Sequence, residues 1–259
     1  MTTSVFSSIV FGPVKSRRLG VSLGVNLLPV DSKLCSFDCI YCECGLNREH
    51  RFRMPLPALD EVEQALSNRL RQMKDNKEPL DVITFAGNGE PTLHPQFADL
   101  IDMTVKMRNS YMPDVKIAVL SNATMLHKPE IVAALRRVDY NIQKLDGADN
   151  EMVRWLNCPE NTEFSVDRVV EQLKVFNGDV IIQTIFLEGE VGGRFVTNAD
   201  DESVANWLAL LKEIAPLRVM VYTLDRPSPT GGLKKMPLAR LREIGEKAKA
   251  LGFDVLIAG

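Results

Sequence analysis

The residues of this chain best able to do chemistry are three cysteines in one short window, LCSFDCIYC over 34–42, in which Cys35, Cys39 and Cys42 are separated by three residues and then two. Thiols at that spacing form a ligand set for one metal centre. A structural zinc ion takes four protein ligands, and a catalytic zinc with three usually counts histidine among them, whereas a cubane iron–sulfur cluster held by three thiolates keeps one iron open for a substrate or cofactor. The spacing therefore favours an open cluster. Two plainer readings stand beside it. A disulfide suits an oxidising compartment, but the chain has only 5 cysteines and its first residues, MTTSVFSS, lack a charged segment followed by an apolar core. Three separately buried thiols suit an apolar window, and this one and its border carry Ser36, Asp38 and Glu43.

The elements that must position these thiols follow from periodicity. Apolar, β-rich runs over 21–28, 81–87, 115–122, 139–146, 179–189 and 217–225 read as strands, and helical spacing over 58–75, 96–109, 129–137, 165–176 and 201–214 separates them. A last helix starts near Pro237 and stops at Gly252, before a further strand in FDVLIA. Six β–α steps imply an α/β fold, a partial (β/α)6 barrel on a parallel sheet with right-handed crossovers, whose ligands gather at the strand C-terminal ends. At 259 residues one domain is expected over 1–259, with an N-terminal extension over 1–20, a cluster-binding loop over 29–57 and a C-terminal helix with its strand over 230–259. A connection as long as 29–57 is uncommon unless it is functional, and it holds the three cysteines.

The same rim collects the other reactive groups. Gly87, Gly89 and Glu90 follow the second strand, Ser121 and Asn122 the third, and Asp225 and Arg226 the sixth; Lys144 and Asp146 end the fourth, and Gln183 lies in the fifth. A strand-end carboxylate such as Glu90 suits an ammonium group, with Gly89 letting the backbone come close to a ligand; the plain alternative is a loop glutamate. Lys144 and Asp146 end an otherwise apolar strand, so they must pair with each other or touch a ligand. Gln183, inside VIIQTIF, needs a partner for its amide, either ligand or backbone. Ser121 doubles as a helix cap and Tyr41 as a packing residue, and His94, between Pro91 and Pro95, reads as a turn residue rather than a metal ligand. Arg226 suits a carboxylate or phosphate, and Arg17 with Arg18 form a second anion candidate. The net charge of -3 advertises no nucleic acid globally, and no apolar run is long enough to span a bilayer, so a soluble, cytoplasmic protein with no membrane partner is expected.

Through CSFDCIYC, the GNGE segment and the six β–α units, the chain resembles the radical S-adenosylmethionine (SAM) superfamily. Through GPVKSRRLG, SLGVNLLP, KLDGAD, IQT and TLDRPSP it resembles, more narrowly, a group of small radical SAM iron–sulfur oxidoreductases distantly similar to wyosine-forming tRNA enzymes. The resemblance implies that Cys35, Cys39 and Cys42 hold a [4Fe–4S] cluster whose open iron is chelated by SAM. One electron, from a donor such as flavodoxin or ferredoxin, then cleaves SAM to methionine and a 5′-deoxyadenosyl radical that abstracts hydrogen from an unidentified substrate. It further implies Tyr41 beside the adenine, Gly89 and Glu90 at the amino group, and Ser121 and Asn122 at the ribose. Of Lys144 and Asp146, one would touch SAM and the other face the substrate. Gln183 joins them as a cofactor contact, and Arg17, Arg18, Asp225 and Arg226 are the substrate candidates. GNGE departs from the common GGE triplet by Asn88. A glycyl-radical activating enzyme and a tRNA-base-modifying enzyme are alternative chemistries, nucleic acid stays open as a partner, and a non-catalytic iron–sulfur or zinc module acting as a redox sensor is the alternative from another class. Cys44 and Cys158 are too few for a second cubane, so one cluster is expected.

Overall fold

The apolar runs build one curved sheet, with the amphipathic helices folded onto its outer face. The structure, a computed structural model, describes residues 5–49, 54–226 and 228–259. In chain order the elements are β1 (Val10–Ser16), β2 (Gly20–Val25), α1 (Leu59–Asp75), β3 (Val82–Phe85), α2 (Phe97–Tyr111), β4 (Lys116–Ser121), α3 (Pro129–Leu135) and β5 (Tyr140–Lys144). They continue as α4 (Asn150–Leu156), α5 (Val166–Lys174), β6 (Ile181–Ile185), β7 (Leu187–Val191), β8 (Arg194–Thr197), α6 (Asp201–Ile214), β9 (Arg218–Tyr222), β10 (Leu233–Lys235), α7 (Leu238–Lys249) and β11 (Asp254–Ala258). Eight strands form the main sheet in the order β1-β2-β3-β4-β5-β6-β9-β11, parallel throughout except for the β1–β2 hairpin. The expected partial barrel with its six β–α steps is thus present as β2, β3, β4, β5, β6 and β9.

Alternation along the strands divides the apolar residues between two layers. Leu23, Ile83, Ile117 and Val219 belong to the large core shared with helix residues such as Leu66, Leu100 and Leu211. Val82, Ala118, Ile142, Ile181 and Met220 form a separate, smaller core on the concave face. Strand register puts Gly24, Thr84 and Ala118 side by side on that concave face, followed by Leu120 with Ile142, and then by Lys144, Gln183 and Met220. Small residues on β2 and β3 and polar ones toward the strand ends leave a hollow there. Gly24 is one reason: a Cβ on it would lie 2.1 Å from the Phe11 ring, so the absence of a side chain lets β1 fold Phe11 inward.

The structure departs from the sequence expectation at three places. Seven residues of the 1–20 extension form β1, an added edge strand that periodicity hid because none of its residues is fully buried and its half-buried and exposed positions do not alternate regularly. The apolar run 179–189 is not one strand: it breaks at Phe186, and β7 enters a second sheet of order β10-β7-β8. The Asn198 side chain makes that break by accepting from Leu187 N (3.1 Å) and donating to the Ile185 and Asp146 carbonyls (2.6 and 2.8 Å), which takes the backbone bonds a continuing strand would use. Finally, α4 is a short helix within 147–164, started by the Asp149 carboxylate accepting from Met152 N at 2.8 Å.

Candidate cluster and cofactor site

The cysteine loop is stitched to the rest of the rim by its backbone. Leu34 pairs with Gly89, Leu34 N donating to the Asn88 carbonyl (2.8 Å) and Glu90 N to the Leu34 carbonyl (3.1 Å). Gly89 has φ +133°, and a Cβ there would lie 1.8 Å from the Leu34 oxygen, so the close approach that this glycine permits is to the cysteine loop itself. Asn88 explains the departure from a plain glycine pair. Its amide nitrogen donates to the Pro29 and Phe6 carbonyls (2.7 and 2.9 Å), its oxygen accepts from Phe6 N (2.7 Å), and its backbone N–H donates to Asn26 Oδ1 (3.0 Å). On the loop's other flank, Asp38 N and Ile40 N donate to the carbonyls of Asn157 and Leu156 at 2.9 and 3.0 Å. The buried Lys33 ammonium closes the loop from within, donating to the Gly45 carbonyl (2.8 Å) and to Asp38 (3.1 Å).

Glu90 is buried, and its carboxylate accepts from Thr92 N (3.1 Å), Thr92 Oγ1 (2.6 Å) and Asn122 N (2.6 Å). Burial raises its pKa, and these donors oppose that. Glu90 thereby fixes Asn122, whose amide donates to Ser36 Oγ (2.9 Å) and reaches Cys35 Sγ at 3.7 Å. The Ser121 hydroxyl accepts from Ala123 N at 3.1 Å.

A second group forms around Asp146. Its Oδ2 accepts from Asn157 Nδ2 (2.8 Å), pairs with Lys144 Nζ (3.3 Å) and takes the Tyr41 hydroxyl in a short hydrogen bond, while Oδ1 accepts from Ile185 N (3.1 Å). Lys144 also donates to Tyr41 Oη (3.0 Å) and lies 5.1 Å from the centre of the Tyr41 ring. Burial opposes the Lys144 charge, yet Asp146 overrides it and moves the pKa up; Tyr41 is pushed up by burial and then by the Asp146 charge. Asn157 links this group to the thiols, its Nδ2 donating to Tyr41 Oη at 2.8 Å and reaching Cys39 Sγ at 3.4 Å.

All three cysteine thiols are free. Each sulfur has a side-chain polar neighbour: Asn122 for Cys35, Asn157 for Cys39, and the Cys44 thiol for Cys42. Cys42 is lowered to about 6, first by that hydrogen bond from Cys44 and then by Lys33, whereas burial pushes Cys39 up to about 11 and Cys35 higher still. Among the described residues no group of three His, Cys, Asp or Glu side chains is arranged to hold a metal ion. A cubane binds each thiolate at a separate corner, so its fit rests on the donor set: three free thiols on one pinned loop, with hydrogen-bond donors at the sulfurs of the kind that tune iron–sulfur centres. The set fits such a cluster.

The remaining candidates lie across the rim. Arg18 Nη1 donates to Gln183 Oε1 (2.6 Å), and its guanidinium stacks 4.4 Å from the centre of the Tyr222 ring. Arg17 pairs with Asp225 (3.5 Å) and Arg226 with Glu43 (2.8 Å), the latter pair well exposed. Pro227 of the TLDRPSP run lies outside the described residues. His94 is the turn residue that its neighbours implied: it follows a 3-10 turn over 91–93, its Nδ1 accepting from Gln96 N and its Nε2 bonding to the Pro57 carbonyl. Sequence reasoning missed Asn157, Asn26 and Lys33. Asn157 sits just past a seven-residue helix with no clear period, and only its place directly before Cys158 marks it.

Residues 30–201 match the family described as the Radical SAM superfamily. The chain is 32% identical over 225 residues to a UPF0026 protein of Helicobacter pylori, covering 85% of this chain and 67% of that protein. Among solved structures, Streptococcus suis SuiB bound to S-adenosylmethionine superposes with TM-score 0.63 at 20% identity over 91% of this chain and 50% of that one. TYW1 with a lysine-pyruvate adduct bound superposes with TM-score 0.60 at 13% identity over 88% of this chain and 73% of that one. Both likenesses are of fold.

Proposed function

The chain belongs to the Radical SAM superfamily and is an enzyme of it, and from that premise we propose that Cys35, Cys39 and Cys42 hold a [4Fe–4S] cluster whose open iron takes SAM. Such a cluster supplies one electron to SAM, yielding methionine and a 5′-deoxyadenosyl radical for hydrogen abstraction from a substrate. The observation that carries the reading is the loop itself: three free thiols, tied to Gly89 on one side and to Leu156 and Asn157 on the other, each with a polar partner at its sulfur. The other residues divide the work. Glu90 and Gly89 hold the loop and Asn122 in place, Ser121 accepts from Ala123 N in the turn that follows, and the Asn122 amide, held beside Cys35, lies where the cofactor's ribose would be met. Tyr41, fixed by Asp146 and Lys144, offers its ring beside Cys39 and Cys42 to the adenine. Lys144 and Gln183 face the concave hollow, where a bound molecule would be kept from water.

Among the described residues no helix is long and apolar enough to cross a membrane. We assign the chemistry to the cytoplasm, where thiols stay reduced and a flavodoxin- or ferredoxin-like protein can deliver the electron. Anaerobic incubation of reconstituted protein with dithionite and SAM, analysed for 5′-deoxyadenosine, tests the proposal. Product that depends on dithionite and on all three cysteines is expected. Fully loaded protein that forms none would refute it.

A further inference from the structure

The hollow beside the cysteine loop opens into a cavity of about 390 Å³ whose wall is rich in charge. Lys15, Arg17, Arg18 and Arg226 line it together with Glu43 and Asp225, an excess of two positive charges in a chain whose net charge is -3. These cations are not equivalent. Arg17 and Arg226 already have carboxylate partners in Asp225 and Glu43, on the exposed side of the cavity. Arg18 is half-buried and, among the described residues, has no carboxylate within 4 Å. It is nevertheless held in one orientation, Nη1 on Gln183 and its plane against Tyr222, which leaves the remaining guanidinium N–H groups for another acceptor. Fixing such a fork beforehand lowers the entropy cost of using it. Hydroxyl groups stand on the same wall, where Ser22 and Thr84 bond to each other at 2.7 Å and keep one hydroxyl proton for a ligand.

We infer that Arg18 is the anion-recognition residue of the substrate site and that the substrate carries a terminal phosphate, which Arg18 binds with Lys15 and the Ser22–Thr84 hydroxyls while the rest of the molecule extends toward the cysteine loop. Two surplus charges match a phosphate monoester, which carries about −1.5 to −2 at neutral pH, better than they match a single carboxylate. A small molecule fits better than a nucleic acid, because a polyanion needs a basic surface around the entrance and here the rim carries Glu43 and Asp225. The word substrate rests on the reading of the loop as a SAM-cleaving centre; the phosphate site itself does not.

Inorganic phosphate is the probe, titrated by calorimetry into the protein before and after cluster reconstitution, with 31P relaxation recorded on the reduced, paramagnetic form. Saturable binding is expected in both forms, with 31P relaxation enhanced only once the cluster is present. Arg18→Gln should weaken phosphate binding by about tenfold or more while SAM affinity stays within about twofold; Arg18→Lys should recover part of the loss; and Arg194→Gln, on the second sheet, should leave phosphate binding unchanged. Unaltered phosphate binding by Arg18→Gln would overturn the inference, as would an equal loss of SAM affinity, which would give the guanidinium to the cofactor's carboxylate. Arg18-dependent binding of single-stranded RNA tighter than that of phosphate would overturn the small-molecule assignment. Phosphate binding that persists in protein forming no 5′-deoxyadenosine would keep the site and refute only the radical chemistry.

Discussion

Two groups of charge share the rim of one sheet, and they are built in opposite ways. Around Asp146 the charges are sealed: the Lys144 and Asp146 side chains are 15% and 0% exposed, and Tyr41 and Asn157 complete the carboxylate's bonds. Across the hollow, Arg226 and Glu43 are 67% and 50% exposed, Arg17 and Asp225 pair loosely, and Arg18 has no carboxylate partner among the described residues. A buried, closed network is costly to break and adds little by itself to stability, so its value lies in fixing geometry. Exposed pairs contribute little to folding, and what they keep is accessible charge. One side therefore positions the thiols; the other is free to bind.

The sharpest break in this comparison is at the thiols. Cys39→Ser should abolish iron retention and 5′-deoxyadenosine formation while far-ultraviolet circular dichroism stays native, and a variant that kept both would remove the positioning side's purpose. Next in size, Asp146→Ala leaves a buried ammonium, a phenol and an amide without their acceptor, and should cost about 3–5 kcal/mol in chemical denaturation. Adding Lys144→Met should recover part of that loss, because the unpaired charge is then gone. If the double variant is as unstable as the single one, the network is not held by charge. Gly89→Ala follows, at about 2 kcal/mol or more, because it joins a left-handed φ to contact with the Leu34 carbonyl. Its signature is loss of SAM affinity together with stability, as the cysteine loop shifts. Smallest, Arg226→Ala should change stability by less than about 1 kcal/mol, with SAM binding intact. A larger loss would place Arg226 with the sealed group and erase the contrast.

How much of this was legible in the sequence follows the range of the forces involved. Period-two apolar runs and helical spacing depend on near neighbours, so β2, β3, β4, β5, β6 and β9 and most helices were readable, as was the gathering of Glu90, Asn122, Lys144 and Gln183 at one rim. Long-range bonds were not. Nothing local says that Asn157 reaches Tyr41 across 116 residues, or that Asn198 ends β6 by taking backbone bonds at Ile185 and Leu187. Glu90 reads from sequence as a bare strand-end carboxylate, and only the fold supplies the Thr92 and Asn122 donors that engage it. Asn88 was visible as a departure from pattern, but its bonds to Phe6 and Pro29 require β1 and the cysteine loop to be in place first.

Electron paramagnetic resonance of the reduced, reconstituted protein with and without SAM tests the central assignment most directly. If Cys35, Cys39 and Cys42 hold a cubane with one open iron, the reduced protein gives a [4Fe–4S] signal that shifts when SAM is added, with about four iron atoms per chain. A signal indifferent to SAM, or iron content unaffected by replacing the three cysteines, would contradict it.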